Sequence, residues 1–517
     1  MKPRNLLPAE PLSMLSADRR RSERDQLANG HVVDVLVVGG GVTGVGVALD
    51  AVTRGLDVAL IEAHDFGFGT SRWSSKMVHG GLRYLASGKV GVAWESAVER
   101  SLVAQYIAPH LVHPFAQLVP IFDSTPKFEV AATGAGVIAG DVLRRASRLP
   151  KSRLPGPKRV GAKRVRELVP TISDDGLRGA YVSWDFRLED DARLVVSIAR
   201  TAAAYGAKML TRARAVSVEP DGAVVEDTLD GGQFEIRARH VINATGVWAG
   251  TLEPDINVTP SRGTHLVVPA AALGNPQASL AVPVPGHFGR FVFTIPQFDN
   301  VVYIGLTDVP APGPIPDVPH PDGEEIDWIL ENINLGLGHT LTRDDIIGTF
   351  AGLRPLVSNP DSDDSTADIS RHHLVTGGPG EVVTVTGGKL TTYRRMAQDT
   401  VDRISDAECK TKHVPLVGVG GVPPEGSLPQ RLIRRFGAEA GAIAALADQD
   451  PGLLKPVSDD IHCPLLGVEV LWAQQAEGAL DIEDVLERRT RISLVPADAD
   501  AVRGAVQGIM DMSQTNG

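Results

Sequence analysis

The segment Val33–Glu62 constrains the fold of this 517-residue chain more than any other stretch. An apolar, β-branched run leads into the glycine-rich turn Gly39–Gly44, a helical run with small residues follows, and a second apolar run ends on Glu62. This order of strand, Gly-x-Gly-x-x-Gly turn, helix, strand and acid is typical of the βαβ unit that binds a dinucleotide. We therefore expect a parallel sheet built around this unit.

Each residue of the unit has its own physical task. Gly39 permits the tight turn, Gly41 lets the backbone approach a pyrophosphate, and Gly44 lets the helix lie close to the strand. The helix N-terminus offers free N–H groups and a positive dipole end to the phosphates. Glu62 follows Gly44 by 18 residues and can accept a hydrogen bond from a ribose hydroxyl. The alternative is a βαβ turn without a ligand, because glycine clusters also mark plain turns.

Two further strand–glycine junctions favour FAD over a nicotinamide cofactor, which the first turn alone leaves open. Val241–Gly246 is an apolar strand that ends in small residues, so the backbone there can approach a cofactor closely. Gly387–Thr392 places helix N-terminal N–H groups where negative charge on reduced flavin can be stabilised. Taken singly, each junction is also compatible with an ordinary turn, so the prediction depends on their joint occurrence.

Composition narrows the class of protein. The net charge of −12 argues against nucleic acid as a partner. Cys409 and Cys463 make neither a metal-binding pattern nor a disulfide framework, which fits a reducing compartment, and we expect no metal site. The first 30 residues lack the apolar core of a signal peptide. Prolines interrupt the longest uncharged stretch, Leu266–Phe288, so we expect no membrane-spanning helix.

A basic segment stands out in this acidic chain. Ten Lys or Arg residues and no acid lie between Arg144 and Arg166, directly after the uncharged run Val130–Gly140. Each basic residue close to an anionic membrane contributes about 1 kcal/mol of attraction. Charge runs are also commonly solvated loops, and the residues alone leave both interpretations open.

Seven stretches closely resemble the FAD-dependent, quinone-linked glycerol-3-phosphate dehydrogenase family, and the resemblance as a whole runs from about residue 30 to 495. They are Asp65–Leu85, Asp190–Arg193, Ile242–Gly246, Gly305–Asp308, Ala351–Leu356, Thr386–Arg394 and Leu486–Thr490. The runs Ser74–Leu85 and Gly387–Arg394 are far more specific than the dinucleotide turn.

The resemblance implies an α/β fold of the glycine and D-amino-acid oxidase type. An FAD-binding Rossmann-like domain carries an inserted sheet-based substrate domain, and a helical domain follows at the C-terminus. The expected segments are a poorly ordered lead-in at 1–30, the discontinuous FAD-binding domain at 31–110, 188–255 and 345–405, the substrate domain at 111–187 and 256–344, and the C-terminal domain at 410–517.

The resemblance also implies the reaction, the oxidation of sn-glycerol 3-phosphate to dihydroxyacetone phosphate in glycerol and glycerophospholipid catabolism. Hydride passes to FAD and electrons pass on to a membrane quinone. Membrane contact through Arg144–Arg166 becomes the favoured interpretation of the basic segment. We expect a cytoplasmic protein attached peripherally to the inner face of the cell membrane. The oligomeric state stays open, with a homodimer as one option.

The substrate chemistry selects the candidate catalytic and substrate-binding residues. Guanidinium groups offer paired donors to phosphate oxygens, and Arg83, Arg354 and Arg371 are the candidates, with Arg371 in the least distinctive stretch. The C2 hydroxyl must lose a proton, and His265 is the favoured general base. A structural histidine is the alternative for His265, and a surface or ion-pair role is the alternative for each arginine.

Lys389 is expected at the flavin edge, where it can polarise the developing ketone or stabilise reduced flavin. With His265, Arg354 and Arg83 it completes the candidate catalytic set, and Tyr84 is a further substrate-pocket candidate. The expected cofactor contacts are Gly39, Gly41, Gly44, Glu62, Ser71, His79, Gly80, Thr245, Gly246, Gly388, Lys389, Leu390 and Thr391.

Three alternative functions remain compatible with such a chain. One is an amine or amino-acid oxidase of the same fold, in which a single arginine typically meets a carboxylate. Another is a glycerol-3-phosphate oxidase that passes electrons to oxygen. The third is a catalytically silent FAD protein that acts as a binding module, although the presence of the full candidate set argues against it.

Overall fold

Two large sheets organise the part of the chain that the computed structural model describes, which is residue 6 and residues 9–81, 84–85, 88–287, 289–357, 373–424 and 426–515. In chain order the strands are β1 (Val32–Val38), β2 (Val58–Ile61), β3 (Met77–Val78), β4 (Val112–Phe122), β5 (Lys158–Gly161), β6 (Leu177–Leu188), β7 (Lys208–Leu210), β8 (Ala213–Glu219), β9 (Gly222–Asp227), β10 (Gln233–Asn243), β11 (Val258–Pro269), β12 (Ser279–Pro283), β13 (Phe291–Pro296), β14 (Val301–Gly305), β15 (Val309–Pro310), β16 (Gly348–Val357), β17 (His373–Thr376) and β18 (Val383–Gly387).

The α-helices lie before, between and after these strands. In chain order they are α1 (Ala17–Ala28), α2 (Val42–Arg54), α3 (Val90–Leu102), α4 (Lys127–Ala146), α5 (Ala162–Leu168), α6 (Asp191–Ala204), α7 (Ala249–Leu252), α8 (Gly323–Asn334), α9 (Tyr393–Val401), α10 (Gln430–Phe436), α11 (Ala440–Ala444), α12 (Gly467–Ala476) and α13 (Pro496–Thr515). Two short π-helical segments, Val103–Ile107 and Asp484–Arg489, complete the larger helical regions.

Sheet I contains the predicted βαβ unit. Its strand order is β17-β18-β10-β1-β2-β7, and the β8–β9 ribbon extends from β10. β1 pairs in parallel with both β10 and β2, because the chain crosses over through α2 between β1 and β2. α2 packs against α6 and α9 on one face of the sheet. β1 is therefore almost entirely buried, as its continuous apolar sequence predicts for a strand covered on both faces.

Sheet II is mixed and lies beyond the ends of β1 and β10. Its order is β15-β11-β14-β13-β12-β4-β6-β3, with β16 paired to β11 and β5 paired to β6. Two separate chain segments meet in this sheet through the parallel pairing of β12 with β4. α8 covers the face formed by β11 to β14, where Ile329 and Ile333 share an apolar core with Leu266, Leu280 and Ile304.

The helices after residue 430 form a C-terminal helical domain, as predicted. One apolar core contains Leu432 and Trp472, and a second contains Val485 and Val502. Helices predominate because apolar residues recur at helical spacing between polar loops in this part of the sequence. Among the described residues, no helix is both long enough and apolar enough to cross a bilayer.

Buried ion pairs attach the C-terminal domain to α6. Both terminal nitrogens of Arg200 donate to Glu439, at 2.7 and 2.8 Å, and both of Arg193 donate to Glu477, at 2.6 and 2.9 Å. All four side chains are almost fully buried. Because a buried charge without its partner is strongly unfavourable, these pairs fix how the C-terminal domain sits on α6.

The prediction of a poorly ordered lead-in is wrong for residues 9–30. α1 starts after Ser16, whose hydroxyl accepts from the Arg19 N–H at 3.2 Å, and it buries Leu27. Arg20 donates to the Thr211 carbonyl and to Asp227, both at 2.8 Å. The helix escaped prediction because it has no apolar face, and charged contacts rather than periodic apolar residues hold it in place.

One further sequence prediction needs correction. The predicted FAD-binding range 345–405 includes β16, but β16 pairs with β11 along its whole length and belongs to sheet II.

The basic segment lies largely in regular structure, because α4, β5 and α5 contain most of it. Arg144 is buried and donates to Asp141 at 2.7 Å, and Arg153 donates to the Ala104 carbonyl at 2.6 Å. Part of the basic segment is therefore structural.

Candidate active site between the two sheets

A cavity of about 670 Å³ extends from the carboxyl end of β1 in sheet I to the inner face of sheet II. It lies where ligands of open α/β sheets usually bind, outside the carboxyl ends of the strands. Most of the residues selected from the sequence line it, namely Gly39, Gly41, Glu62, Ser71, His79, Tyr84, Thr245, Gly246, His265, Arg354, Gly388, Lys389, Leu390 and Thr391. The structure thus brings the predicted cofactor and substrate residues to one space.

Two predicted cofactor residues lie behind the cavity wall. A Cβ atom on Gly44 would lie 1.9 Å from the Gly39 carbonyl oxygen, so Gly44 brings α2 close to β1 instead of facing the cavity. Gly80 donates its N–H to Asp185 at 3.0 Å, and it packs against Arg100. Gly80 therefore packs against Arg100 and Asp185, and its contact with the cofactor stays a prediction. Predicted residues Arg83 and Arg371 lie outside the described residues.

The first glycine turn has the geometry of a phosphate cradle. Gly39 adopts φ +111°, and a Cβ there would lie 2.7 Å from the Ala244 carbonyl oxygen, which excludes larger residues. Ser71 accepts from the Val42 N–H at 2.9 Å at the start of α2. Glu62 accepts from the Gly40 N–H at 2.6 Å. Burial raises the pKa of Glu62, although its backbone hydrogen bonds favour the carboxylate.

The third junction places a lysine at the opposite wall of the cavity. Gly388 adopts φ +68°, and a Cβ there would lie 2.6 Å from the Met396 sulfur atom. The chain must therefore carry glycine where it turns from β18 toward α9. Lys389 follows directly, donates to the Ser96 hydroxyl, and lies with Nζ 4.3 Å from the centre of the Tyr84 ring.

His265 lies on β11, between β14 and β16, and is 1% exposed. Its Nε2 is 2.9 Å from Ser75 Oγ, and its ring stacks on Phe350 with centroids 4.6 Å apart. Its Nδ1 has no hydrogen-bond partner among the described residues. Burial, reinforced by the positive charges of Lys76 and Arg354, holds the pKa of His265 well below 6.5. The imidazole is therefore neutral at ordinary pH and can accept a proton.

Arg354 projects from β16 into the same part of the cavity. It donates to Asp308 at 3.2 Å, to the Thr307 carbonyl at 3.2 Å and to Ser261 at 3.4 Å. A Cβ on Gly263 would lie 2.0 Å from the guanidinium, so the glycine on β11 makes room for the side chain. The guanidinium is thus held by sheet II with its position fixed.

Residues 64–79, which we call the motif loop, connect the two halves of the site. At one end, buried Asp65 accepts from Arg489 at 2.8 and 2.9 Å and from Arg488 at 2.7 Å, and the two arginines hold its pKa well below 3.8 despite burial. At the other end, Lys76 donates to Asp191 at 2.8 Å. Ser71 and Ser75, between these anchors, contact α2 and His265 respectively.

Several residues of the site were not selected from the sequence. Ser75, Phe350 and Ser96 each contact a selected residue, and Asp191 anchors the motif loop. The alternation of side chains on β16 could have identified Phe350. Phe350 and Arg354 are four residues apart on this strand, so their side chains lie on the same face. Ser96 carried no comparable signal, since its contact with Lys389 joins chain segments almost 300 residues apart.

Comparison with known proteins agrees with this geometry. The domain family described as "FAD dependent oxidoreductase" matches residues 34–394, and the one described as "C-terminal domain of alpha-glycerophosphate oxidase" matches residues 409–516. The chain is 48% identical to "Glycerol-3-phosphate dehydrogenase 1" of Mycobacterium tuberculosis over 501 residues, which cover 94% of this chain and 96% of the relative. The chain belongs to the FAD-dependent glycerol-3-phosphate dehydrogenase family.

Solved structures confirm the predicted fold class. A glycerol-3-phosphate dehydrogenase from Bacillus halodurans, complexed with FAD, matches with a TM-score of 0.70 and 26% identity over 97% of each chain. A glycine oxidase from Bacillus cereus shares the fold, with a TM-score of 0.50 and 17% identity over 72% of this chain and 96% of that chain. The present chain therefore is an FAD-dependent oxidoreductase, and the prediction of FAD as its cofactor is confirmed.

The residues on the cavity wall fit FAD. The cradle at Gly39 and Gly41 and the positive end of the helix dipole at the start of α2 suit the pyrophosphate. The Glu62 carboxylate can accept from a ribose hydroxyl, and Lys389 offers positive charge toward a flavin ring. Gly246, with φ +63° and open space where a Cβ would lie, leaves room beside the wall for the cofactor.

The contact between Gly44 and Gly39 yields a prediction about cofactor retention. In Gly44→Ala the new Cβ would overlap the Gly39 carbonyl oxygen, so α2 must move away from β1. We expect a severalfold lower FAD content per protein, measured as the ratio of flavin to protein absorbance. Gly504→Ala on α13, where a Cβ meets nothing within 4 Å, is the matched control. Full FAD content in Gly44→Ala would contradict the assignment of this turn.

Proposed function

We propose that this protein oxidises sn-glycerol 3-phosphate to dihydroxyacetone phosphate with FAD as the hydride acceptor. The observation that carries the proposal is the single cavity that joins the FAD cradle to His265, Arg354 and Lys389. Arg354 and Lys389 are positively charged and suit a phosphate dianion. The neutral imidazole of His265 suits the secondary alcohol of the same substrate. The similarity to relatives with this name over almost the whole chain supports the same substrate.

In the proposed mechanism each residue has one task. Arg354 binds phosphate oxygens through paired, charge-assisted hydrogen bonds. His265 accepts the C2 hydroxyl proton while the C2 hydrogen leaves as hydride, and Ser75 orients the imidazole through the 2.9 Å contact at Nε2. Lys389 stabilises negative charge that develops on the oxygen or at the flavin edge. Bound FAD supplies the oxidant by taking the hydride.

The dianion itself makes His265 a competent base. In the free protein, burial and the positive charges of Lys76 and Arg354 disfavour the imidazolium ion. A phosphate dianion bound to Arg354, which lines the cavity, offsets the charge of that arginine, and this raises the affinity of the imidazole for a proton. His265 therefore gains basicity when the substrate is in place.

An anaerobic titration with sn-glycerol 3-phosphate tests the proposal. We expect bleaching of the oxidised flavin band, because substrate oxidation must reduce the bound cofactor. In Arg354→Leu, the substrate concentration that gives half the maximal rate of bleaching should be about 10- to 100-fold higher, the equivalent of one to two charge-assisted hydrogen bonds. Arg343→Leu removes an exposed arginine that pairs with Asp327, and this control should titrate like the unmodified protein. A flavin band unchanged by saturating substrate would overturn the proposal.

The lowered pKa of His265 gives a pH prediction. The imidazole of the free protein is neutral at pH 6.5, so protonation of His265 should not lower the flavin reduction rate at low substrate concentration as pH decreases from mildly alkaline values to 6.5. In His265→Asn this rate should drop by about 10²- to 10⁴-fold and increase with pH, because solvent must then take the proton. Stopped-flow absorbance measures both profiles. A variant within threefold of the unmodified rate would remove His265 from the role of base.

We further propose that a quinone in the membrane accepts the electrons and that the protein attaches peripherally to the inner face of the cell membrane. α4 supports this attachment. Phe128, Ile138 and Val142 are 66%, 63% and 58% exposed and, with exposed Ala131 and Ala135, form an apolar stripe along the helix. An apolar stripe flanked by basic residues is typical of helices that lie in a membrane interface.

Vesicle sedimentation tests the attachment. The unmodified protein should sediment with vesicles that contain phosphatidylserine, and less with neutral phosphatidylcholine vesicles, because exposed basic residues such as Arg145 and Lys151 follow the stripe. Ile138→Glu should reduce binding at least severalfold. Val216→Glu changes an apolar residue on β8 that is 50% exposed, and this variant should bind like the unmodified protein. Equal binding by both variants would contradict a membrane role for α4.

A further inference from the structure

One part of the cavity wall is formed by residues that follow Glu62 at the carboxyl end of β2. His64 and Phe68 of the motif loop line it, together with Arg214 on β8. The rings of His64 and Phe68 stack with centroids 3.9 Å apart. An acid at the end of the second strand of a dinucleotide unit binds the ribose of the adenosine. The adenosine of bound FAD is therefore expected here, and we call this part of the cavity the adenosine end.

Asp317 also lines the cavity, although it comes from a different part of the fold. Its carboxylate Oδ2 lies 4.0 Å from Nε2 of His64. Asp317 belongs to residues 311–321, which we call the strap and which connect β15 of sheet II to α8. The other residues that sheet II contributes to the site, such as His265 and Arg354, belong to its substrate part. The strap thus brings a residue from the sheet II side to the adenosine end, which sheet I and the motif loop otherwise form.

Both ends of the strap are fixed to sheet II. Directly after β15, Ala311 donates its N–H to the Pro260 carbonyl at 2.9 Å. At the other end Asp322 caps α8, and Glu325 on this helix accepts from Arg262 on β11 at 2.6 Å.

The composition of the strap explains how it keeps its course between these ends. Five of its eleven residues are proline. Proline restricts the backbone in the unfolded chain as well, so a proline-rich segment loses little conformational entropy when it is held in one position. Such a segment needs no packed core of its own to stay extended.

The middle of the strap is held weakly. The Asp317 side chain is 66% exposed. Burial lowers the pKa of His64 below 6.5, and the charge of Arg214 adds to this effect while Asp317 opposes it. The imidazole is therefore mainly neutral at pH 7.5, and its contact with Asp317 is not a full ion pair. Exposed polar contacts of this kind contribute little to stability, so the middle of the strap can move away while both ends stay attached.

We propose that the strap is a clasp that retains FAD. It closes the adenosine end while the cofactor is bound, and it moves aside when FAD enters or leaves. FAD is then held by both sheets, at its pyrophosphate by the glycine cradle of sheet I and at its adenosine by a segment attached to sheet II. The clasp controls the rate of FAD release, and it does not depend on which substrate reduces the flavin.

A reversible covalent link between the strap and the motif loop tests the clasp. In the double variant His64→Cys/Asp317→Cys, a bis(methanethiosulfonate) reagent with a short spacer joins the two thiols of the FAD-loaded protein, and mass spectrometry confirms the link. Release of FAD after dilution is followed by the fluorescence of free FAD. We expect release from the linked protein to be at least tenfold slower than after dithiothreitol has cleaved the linker.

The two single variants are the controls for this experiment. Treated with the same reagent, they report any effect of its reaction with Cys409 or Cys463, and they should release FAD at the same rate with and without the reagent. Equal rates of FAD release from the linked and the cleaved double variant would overturn the clasp.

Loosening the strap is a second test that needs no chemical modification. Pro314→Gly/Pro316→Gly replaces two exposed prolines of the strap, and the greater freedom of its backbone should speed FAD release at least threefold. Pro423→Gly/Pro424→Gly makes the same change in a loop that does not line the cavity, and this control should release FAD like the unmodified protein. An unchanged release rate in the strap variant would overturn the clasp. Neither experiment uses sn-glycerol 3-phosphate, so failure of the clasp is distinguishable from failure of the proposed reaction.

Discussion

The fixed position of the motif loop is the constraint on which the site depends. Asp65 is fully buried and is satisfied by Arg488 and Arg489 from the C-terminal domain, and Lys76 is fully buried and is satisfied by Asp191. Each of these charges would be costly without its partner. The loop between them therefore cannot move far, and it holds one serine against the cofactor cradle and another against His265. The C-terminal domain contributes to catalysis in this indirect sense.

The two sheets contribute different kinds of group to the site. Sheet I supplies glycine turns, where the backbone itself approaches the cofactor and side chains would obstruct it. Sheet II supplies side chains, with His265 on β11 and Arg354 on the adjacent β16. The pairing of these two strands brings the imidazole and the guanidinium to the same part of the cavity. Among the described residues, no cluster of side chains could hold a metal ion. Burial and the nearby positive charges keep the imidazole neutral in the free protein, and the proposed mechanism links substrate binding to base strength through Arg354.

Much of this arrangement could be predicted from local sequence. The βαβ unit and the glycine junctions are predictable because close backbone approach requires glycine at particular positions. His265 and Arg354 followed from the substrate chemistry and the family motifs. The helix α1 and the membership of β16 in sheet II were missed, because the first depends on ion pairs with distant segments and the second on pairing with a remote strand. The packing of Gly80 against Arg100 could not be predicted, because a glycine can serve packing as well as ligand approach and local sequence does not distinguish the two.

The region between Val130 and Arg166 also shows that local sequence does not predict which residues are exposed. Its lack of charge followed by excess positive charge indicated a surface function, but not which residues are exposed. The structure shows α4 with an apolar exterior, and it uses Arg144 and Arg153 for internal contacts. The sequence pattern shows that charged and apolar residues are present in this region. Which of the α4 residues are exposed depends on how α4 packs against α3 and β6.

The central claim is that substrate and flavin meet in one cavity and that hydride leaves C2 of sn-glycerol 3-phosphate. Single-turnover stopped-flow reduction of the FAD-loaded protein, with substrate carrying hydrogen or deuterium at C2, tests it most directly. The account predicts that deuterium slows flavin bleaching by a primary isotope effect at saturating substrate. The same rate with both substrates, in a variant such as His265→Asn where the chemical step is slow, would contradict the claim.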